Sequence, residues 1–69
     1  MSVKLIYLGN FETEFKGNKY IIFQFLHPNS MTILSGTNLT PKKELVLDND
    51  YTCEIAFIRN KIKVVDVLE

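Results

Sequence analysis

Apolar and polar residues alternate along most of this chain, and glycine, proline or asparagine breaks the alternation every eight to fifteen residues or so. Period-two alternation with turn signals at that spacing predicts a small all-β domain. Val3-Lys4-Leu5-Ile6-Tyr7-Leu8 predicts the start of a first strand, Gly9-Asn10 interrupts it, and Phe11-Glu12-Thr13-Glu14-Phe15 resumes it. A glycine inside a strand pattern predicts a bulge or a sharp bend. A small barrel needs such a bent first strand, because that strand pairs in both halves of the sheet.

Lys16-Gly17-Asn18-Lys19 predicts a hairpin turn, since Gly and Asn tolerate the positive φ of tight turns. The second strand follows as Tyr20 to Leu26, rich in β-branched and aromatic residues. Ile21, Phe23 and Phe25 form its apolar face, and Tyr20, Ile22, Gln24 and Leu26 its mixed one. His27-Pro28-Asn29-Ser30 is the next turn, Met31 to Ser35 a short third strand, and Gly36-Thr37-Asn38 its end. Thr40-Pro41 is a helix-start signal. It predicts one short helical turn over the segment to Leu47, or an irregular connector there. Asp48-Asn49-Asp50 is a turn, and Tyr51 to Ile58 a fourth strand with Tyr51, Cys53, Ile55 and Phe57 on one face. Arg59-Asn60-Lys61 turns the chain into a fifth strand, Ile62 to Leu68. Five strands with one connector between the third and fourth match an oligonucleotide-binding (OB) barrel, with an SH3-like barrel as the structural rival. Residues 1–69 form a single domain, and Tyr7, Phe23, Phe25, Tyr51 and Phe57 are expected in its core.

Length sharpens this picture. A chain of 69 residues buries only about 60% of the surface its unfolded form exposes. Such a thin core needs a closed sheet, a partner or both. A homodimer is therefore expected, with apolar Ile22 and Leu26 on the second face of strand two as its basis. The single cysteine, Cys53, forms no internal disulfide and fits a reducing compartment. Neither a secretory pattern nor a stretch of about 20 apolar residues is present, so the reading is a cytoplasmic protein with no membrane span.

Candidate chemistry is sparse. One histidine, His27, and one cysteine make no metal-ligand set, so no metal or other cofactor is expected. No nucleophile elbow or phosphate loop occurs, and Glu12 and Glu14 read as charges guarding a strand edge. These features point away from an enzyme. Eight basic and eight acidic residues cancel, yet the basic ones cluster as Lys16 with Lys19, Lys42 with Lys43, and Arg59 with Lys61 and Lys63. Phe15-Lys16-Gly17-Asn18-Lys19-Tyr20 places two rings and two ammonium groups around one hairpin. Single-strand binders combine such rings with such charges. A structural reading of the same pair is cross-strand packing of Phe15 against Tyr20. The candidate binding set is Phe15, Lys16, Lys19, Tyr20, Gln24, Lys42, Lys43, Arg59 and Lys61, with single-stranded DNA or RNA as ligand.

Lys16-Gly17-Asn18-Lys19-Tyr20 resembles the basic–glycine–basic–tyrosine hairpin of the filamentous-phage single-stranded DNA-binding proteins. Leu47 to Ile55 resembles their Leu-x-x-Gly-x-Tyr-x-Val segment, with Asn49 or Asp50 where glycine is usual. The hairpin Arg59-Asn60-Lys61 is shorter than its counterpart there and brings no aromatic residue. The resemblance implies a phage or mobile-element origin, a five-stranded barrel, a two-fold dimer and cooperative coating of single strands. It implies that Tyr20 stacks on a base and that Lys16 and Lys19 lie near phosphates. The competing class is a small protein-interaction module, an accessory or inhibitor protein, which neutral charge and Asp48, Asp50, Asp66 and Glu69 suit.

Overall fold

The computed structural model describes residues 1–68, so Glu69 lies outside the described residues. The chain is all-β. Five strands, β1 (Ser2–Phe15), β2 (Asn18–His27), β3 (Thr32–Thr37), β4 (Asp50–Ile58) and β5 (Lys61–Val67), form one antiparallel sheet in the order β3-β2-β1-β4-β5. No helix among the described residues is long and apolar enough to cross a membrane.

β1 is central because it is long enough to pair twice. Its first half pairs with β4, from Ser2 opposite Glu54 to Ile6 opposite Asp50, and its whole upper length pairs with β2. The expected irregularity lies where glycine marks it. Tyr7 faces Phe25 and Gly9 faces Gln24, so Leu8 is an extra residue and the register shifts there. Gly9 takes a φ of +120°, a region that disfavours any residue with a Cβ. The chain after the connector then doubles back on this bend. Tyr7 N–H donates to the Asn49 carbonyl, and Asp48 N–H donates to the Tyr7 carbonyl.

Two hairpins are closed by two-residue loops with positive φ at both positions, Lys16-Gly17 and Arg59-Asn60. That is the turn whose twist matches paired strands. Asn18 is already in β2, opposite Phe15, rather than in the turn. Of the two courses expected for the segment from Thr40 to Leu47, the irregular connector is the one found, and no helical turn forms. Lys42 and Lys43 sit in a bend, and the rest of the segment is irregular. A lone helical turn fixes several residues for one hydrogen bond. Here Leu39 and Leu45 pack against the core instead, and Val46 N–H donates to the Tyr51 hydroxyl at 2.7 Å.

The core is Leu5, Tyr7, Phe23, Phe25, Cys53, Val64 and Val67. Tyr7 anchors it, with its ring 5.5 Å from Phe25 and 6.4 Å, edge-on, from Tyr51. The Tyr7 hydroxyl accepts a hydrogen bond from the Asn10 side-chain amide, so burial leaves it paired. Phe57 corrects the expected core set, because it lies on the core face of β4 but is 70% exposed. Its strand runs past the end of the domain, and nothing covers it. Tyr51 is half-buried and packs against the core.

The hydrogen-bonded ladder ends at β3 on one side and β5 on the other. These edges nevertheless meet. A Cβ placed on Gly36 would stand 2.5 Å from the Val64 carbonyl oxygen and 2.9 Å from a Leu39 methyl. Only glycine permits that approach, and backbone oxygen does not move aside cheaply. Gly36→Ala is expected to destabilise the domain by about 1–3 kcal/mol, the cost of overpacking. Urea unfolding measures this. A loss within about 0.5 kcal/mol, typical of an open surface site, would show that β3 and β5 do not pack so closely.

Burial in this core pushes the Cys53 thiol up to about 11, with the nearby Asp66 carboxylate adding to the rise. The folded state therefore favours the neutral thiol. Its contribution to stability is intact below the thiol's ordinary value of 9.0 and is lost as pH rises from there to about 11. Stability of the parent relative to Cys53→Ala should fall across that window, and native Cys53 should react slowly with thiol reagents at neutral pH. Rapid labelling of the folded protein at pH 7 would overturn this placement.

Candidate nucleic-acid interface

The extra residue at the Gly9 bend decides which side chains reach solvent. Successive residues of a strand point to opposite faces, so a one-residue insertion exchanges the faces beyond it. Before the bend Leu5 and Tyr7 point into the core. Beyond it Asn10 stands opposite Phe23 on the core side, while Phe11 stands opposite Ile22 on the outer side. Thr13 opposite Tyr20 and Phe15 opposite Asn18 continue the outer side.

Three rings thus share one outer face of the β1–β2 ribbon: Phe11, Phe15 and Tyr20. Phe11 is 48% and Phe15 62% exposed, and Tyr20 is half-buried. Tyr20 lies diagonally between the two phenylalanines, at a spacing of about 7–8 Å for such neighbours. The expected direct pairing of Phe15 with Tyr20 is replaced by this diagonal relation. The Lys16 Nζ sits 5.3 Å from the Phe15 ring centroid, a cation–π distance. Farther along the same face come Gln24 opposite Ser35 and Ile22 opposite Thr37. Polar side chains there offer hydrogen bonds beside the rings.

Phe11 was absent from the sequence-derived binding set. Strict alternation from Leu5 and Tyr7 carries it into the core, and only the inserted residue turns it outward. The glycine that marks the bend was the available signal.

The other predicted residues fall in different places. Lys19 is on the reverse face of the ribbon, opposite Glu14, with Glu12 opposite Ile21 beside it. Arg59, Lys61 and Lys63 border an open hollow with Ile58 on the outer face of the β4–β5 hairpin. Lys42 and Lys43 line a shallow pocket with Leu45, Val67 and Leu68 on the connector. The ribbon's outer face therefore holds Phe15, Lys16, Tyr20 and Gln24 together, Lys19 lies on its reverse face, and the remaining predicted cations form two separate patches. Among the described residues the one salt bridge joins the Met1 amine to Glu54 at 2.6 Å. No lysine or arginine among them is neutralised by such a bond.

Asn38 fixes the root of the ribbon. Its backbone N–H donates to the Ile21 carbonyl at 2.8 Å, and its side-chain oxygen accepts from the Ile21 N–H at 2.8 Å. Beyond that clasp β1 and β2 have only each other. His27 lies far along β2, with its Nδ1 2.9 Å from the Ser30 hydroxyl in the following turn. Among the described residues no three His, Cys, Asp or Glu side chains gather as a metal site. No family model, curated protein or solved structure matches this chain.

Proposed function

We propose that this chain is an OB-type barrel that binds single-stranded DNA, tolerant of sequence, on the outer face of its β1–β2 ribbon, and that it catalyses no reaction. The observation that carries the reading is the row of Phe11, Tyr20 and Phe15 on one solvent-facing surface, with Lys16 over the end ring. Rings of this kind stack bases of any identity, and cations beside them contact phosphate. The barrel reading draws support from β1 pairing with both β2 and β4 and from the close approach of β3 to β5. Its second half draws on the likeness of residues 16–20 to the phage hairpin, which also points to a phage or mobile-element gene and a cytoplasmic setting. Arg59, Lys61 and Lys63 supply a second cationic patch for a longer strand. Lys19 takes a lesser part than the resemblance implied, because Glu12 and Glu14 share its face.

Fluorescence anisotropy with labelled dT and rU oligomers, at low and moderate salt, tests the proposal and separates DNA from RNA. Phe11→Ala, Phe15→Ala and Tyr20→Ala should each weaken binding by about 1–3 kcal/mol. Lys16→Ala should also flatten the salt dependence by about 0.7 in log–log slope, the loss of one phosphate contact on a single strand. Each variant is first shown to be folded by circular dichroism. Parent protein that binds neither oligomer at low salt would end the nucleic-acid reading and leave the interaction-module reading in its place. Binding unchanged in folded Tyr20→Ala and Phe11→Ala would move the site off the ribbon.

A further inference from the structure

The domain exposes more surface than its mass calls for. A folded monomer of 8.0 kDa exposes about 4450 Å², whereas this chain exposes 5134 Å². The excess of about 700 Å² is close to the roughly 800 Å² that each partner contributes to a standard stable interface. The domain measures 35 × 29 × 19 Å, and Phe11, Phe15, Phe57 and Ile62 lie exposed on strands that run on past the core.

At one end the overrun is apolar. The core face of β4 continues from Cys53 through Ile55 to Phe57, and that of β5 from Val64 to Ile62. Phe57 is 70% and Ile62 46% exposed. Beside them are two adjoining hollows that share Met1, Ile55 and Ile62. One, of about 280 Å³, reaches between the starts of β3 and β5 to Val3 and Leu34. The other, of about 170 Å³, lies under Phe57 itself. No Asp, Glu, Lys or Arg side chain lines either hollow. His27, Ser30 and Thr32 line one side of the larger one, and the Met1 amine is paired with Glu54.

We infer that this overrun is a homodimer interface, in which Phe57 of each copy enters the larger hollow of the other. A two-fold interface uses the same patch on both copies and so must be complementary to itself. Here an exposed ring and an empty apolar hollow adjoin on one surface, which meets that condition. The lack of Asp, Glu, Lys and Arg side chains in the hollows matters too, because an entering ring would leave such a charge desolvated and unpaired. The excess area is close to one partner's share of a standard interface, so one further copy suffices. Ile22 and Leu26, the sequence-based basis for a dimer, are half-buried and already face Phe11, Thr37, Ile6 and Ile33 across the strands. The inference does not rest on nucleic-acid binding.

Sedimentation equilibrium of the full chain, from micromolar to hundreds of micromolar, is the test. The expected mass is twice 8.0 kDa. Phe57→Ser and Ile62→Lys alter side chains exposed in the single copy, so both should stay folded. Each change occurs twice per dimer and should raise the dissociation constant at least about thirtyfold, as loss of a central anchor does. Val65→Ser, at an exposed site on β5 that lines neither hollow, should leave the dimer intact. A single-chain mass across the whole range would overturn the inference. So would a dimer that survives folded Phe57→Ser and Ile62→Lys, or one that Val65→Ser breaks equally. Should one of the two variants fail to fold, the other decides.

Discussion

The inserted residue at the Gly9 bend is the constraint from which most of this structure follows. One strand here serves two pairings, with β4 along its lower half, where Leu5 and Tyr7 are buried, and with β2 along its upper half, where none of Asn10 to Phe15 is. The bulge lies between the two. It bends β1, lets its lower half pair with β4 and its upper half with β2, and exchanges the faces between them. Glycine is required because φ there is +120°. The connector is tied to the same place, since Asp48 and Asn49 bond both backbone groups of Tyr7, and a Cβ on Gly9 would lie 3.5 Å from Leu47. The bend, the connector and the start of β4 therefore form one cooperative unit.

That unit also explains how a small core holds together. Among the described residues only seven hydrophobic side chains are buried, yet they come from four strands and centre on Tyr7, the residue just before the bend. Chain length limits the core, and the strands are longer than the core can cover. The surplus strand must project, either as the aromatic ribbon past Asn38 or as the β4–β5 overrun past Met1. A two-stranded ribbon is marginal by itself in water. Its two-residue turn and the Asn38 clasp hold its two ends.

Much of the fold was legible because strand signals are local. Alternation, β-branched residues and turn dipeptides located all five strands within one or two residues, and Gly9 announced the bend. Two-residue turns at Lys16-Gly17 and Arg59-Asn60 were also legible, although positive φ falls on Lys16 rather than Asn18. What could not be read was parity beyond the bulge and the limit of the core. Phe11, in the strand that resumes after Gly9, was assigned to no face, and Phe57 was expected in the core. One is turned out by an inserted residue and the other outruns its cover. Both facts depend on pairing between distant segments, which no local pattern records. In the connector, read as a helical turn or an irregular segment, the irregular course is the one taken. Thr40-Pro41 is a true local helix signal, overridden by the pull of Leu39 and Leu45 toward the core.

The distribution of charge bears on how such a domain would hold a polyanion. With basic and acidic residues equal in number, long-range attraction is weak and affinity has to come from short-range contacts. The ribbon differs between its two faces in a way that suits this reading. Its outer face carries the rings, and its reverse face carries Glu12 and Glu14. On the proposed reading a phosphate backbone would be repelled from one side and held by stacking on the other. On the proposed reading, Lys16 serves two ends at once: its ammonium orders the Phe15 ring and marks the side on which phosphate is accepted. Specific placement on a neutral protein then follows from which face is acidic as much as from which is basic. Like-charge repulsion excludes the wrong face.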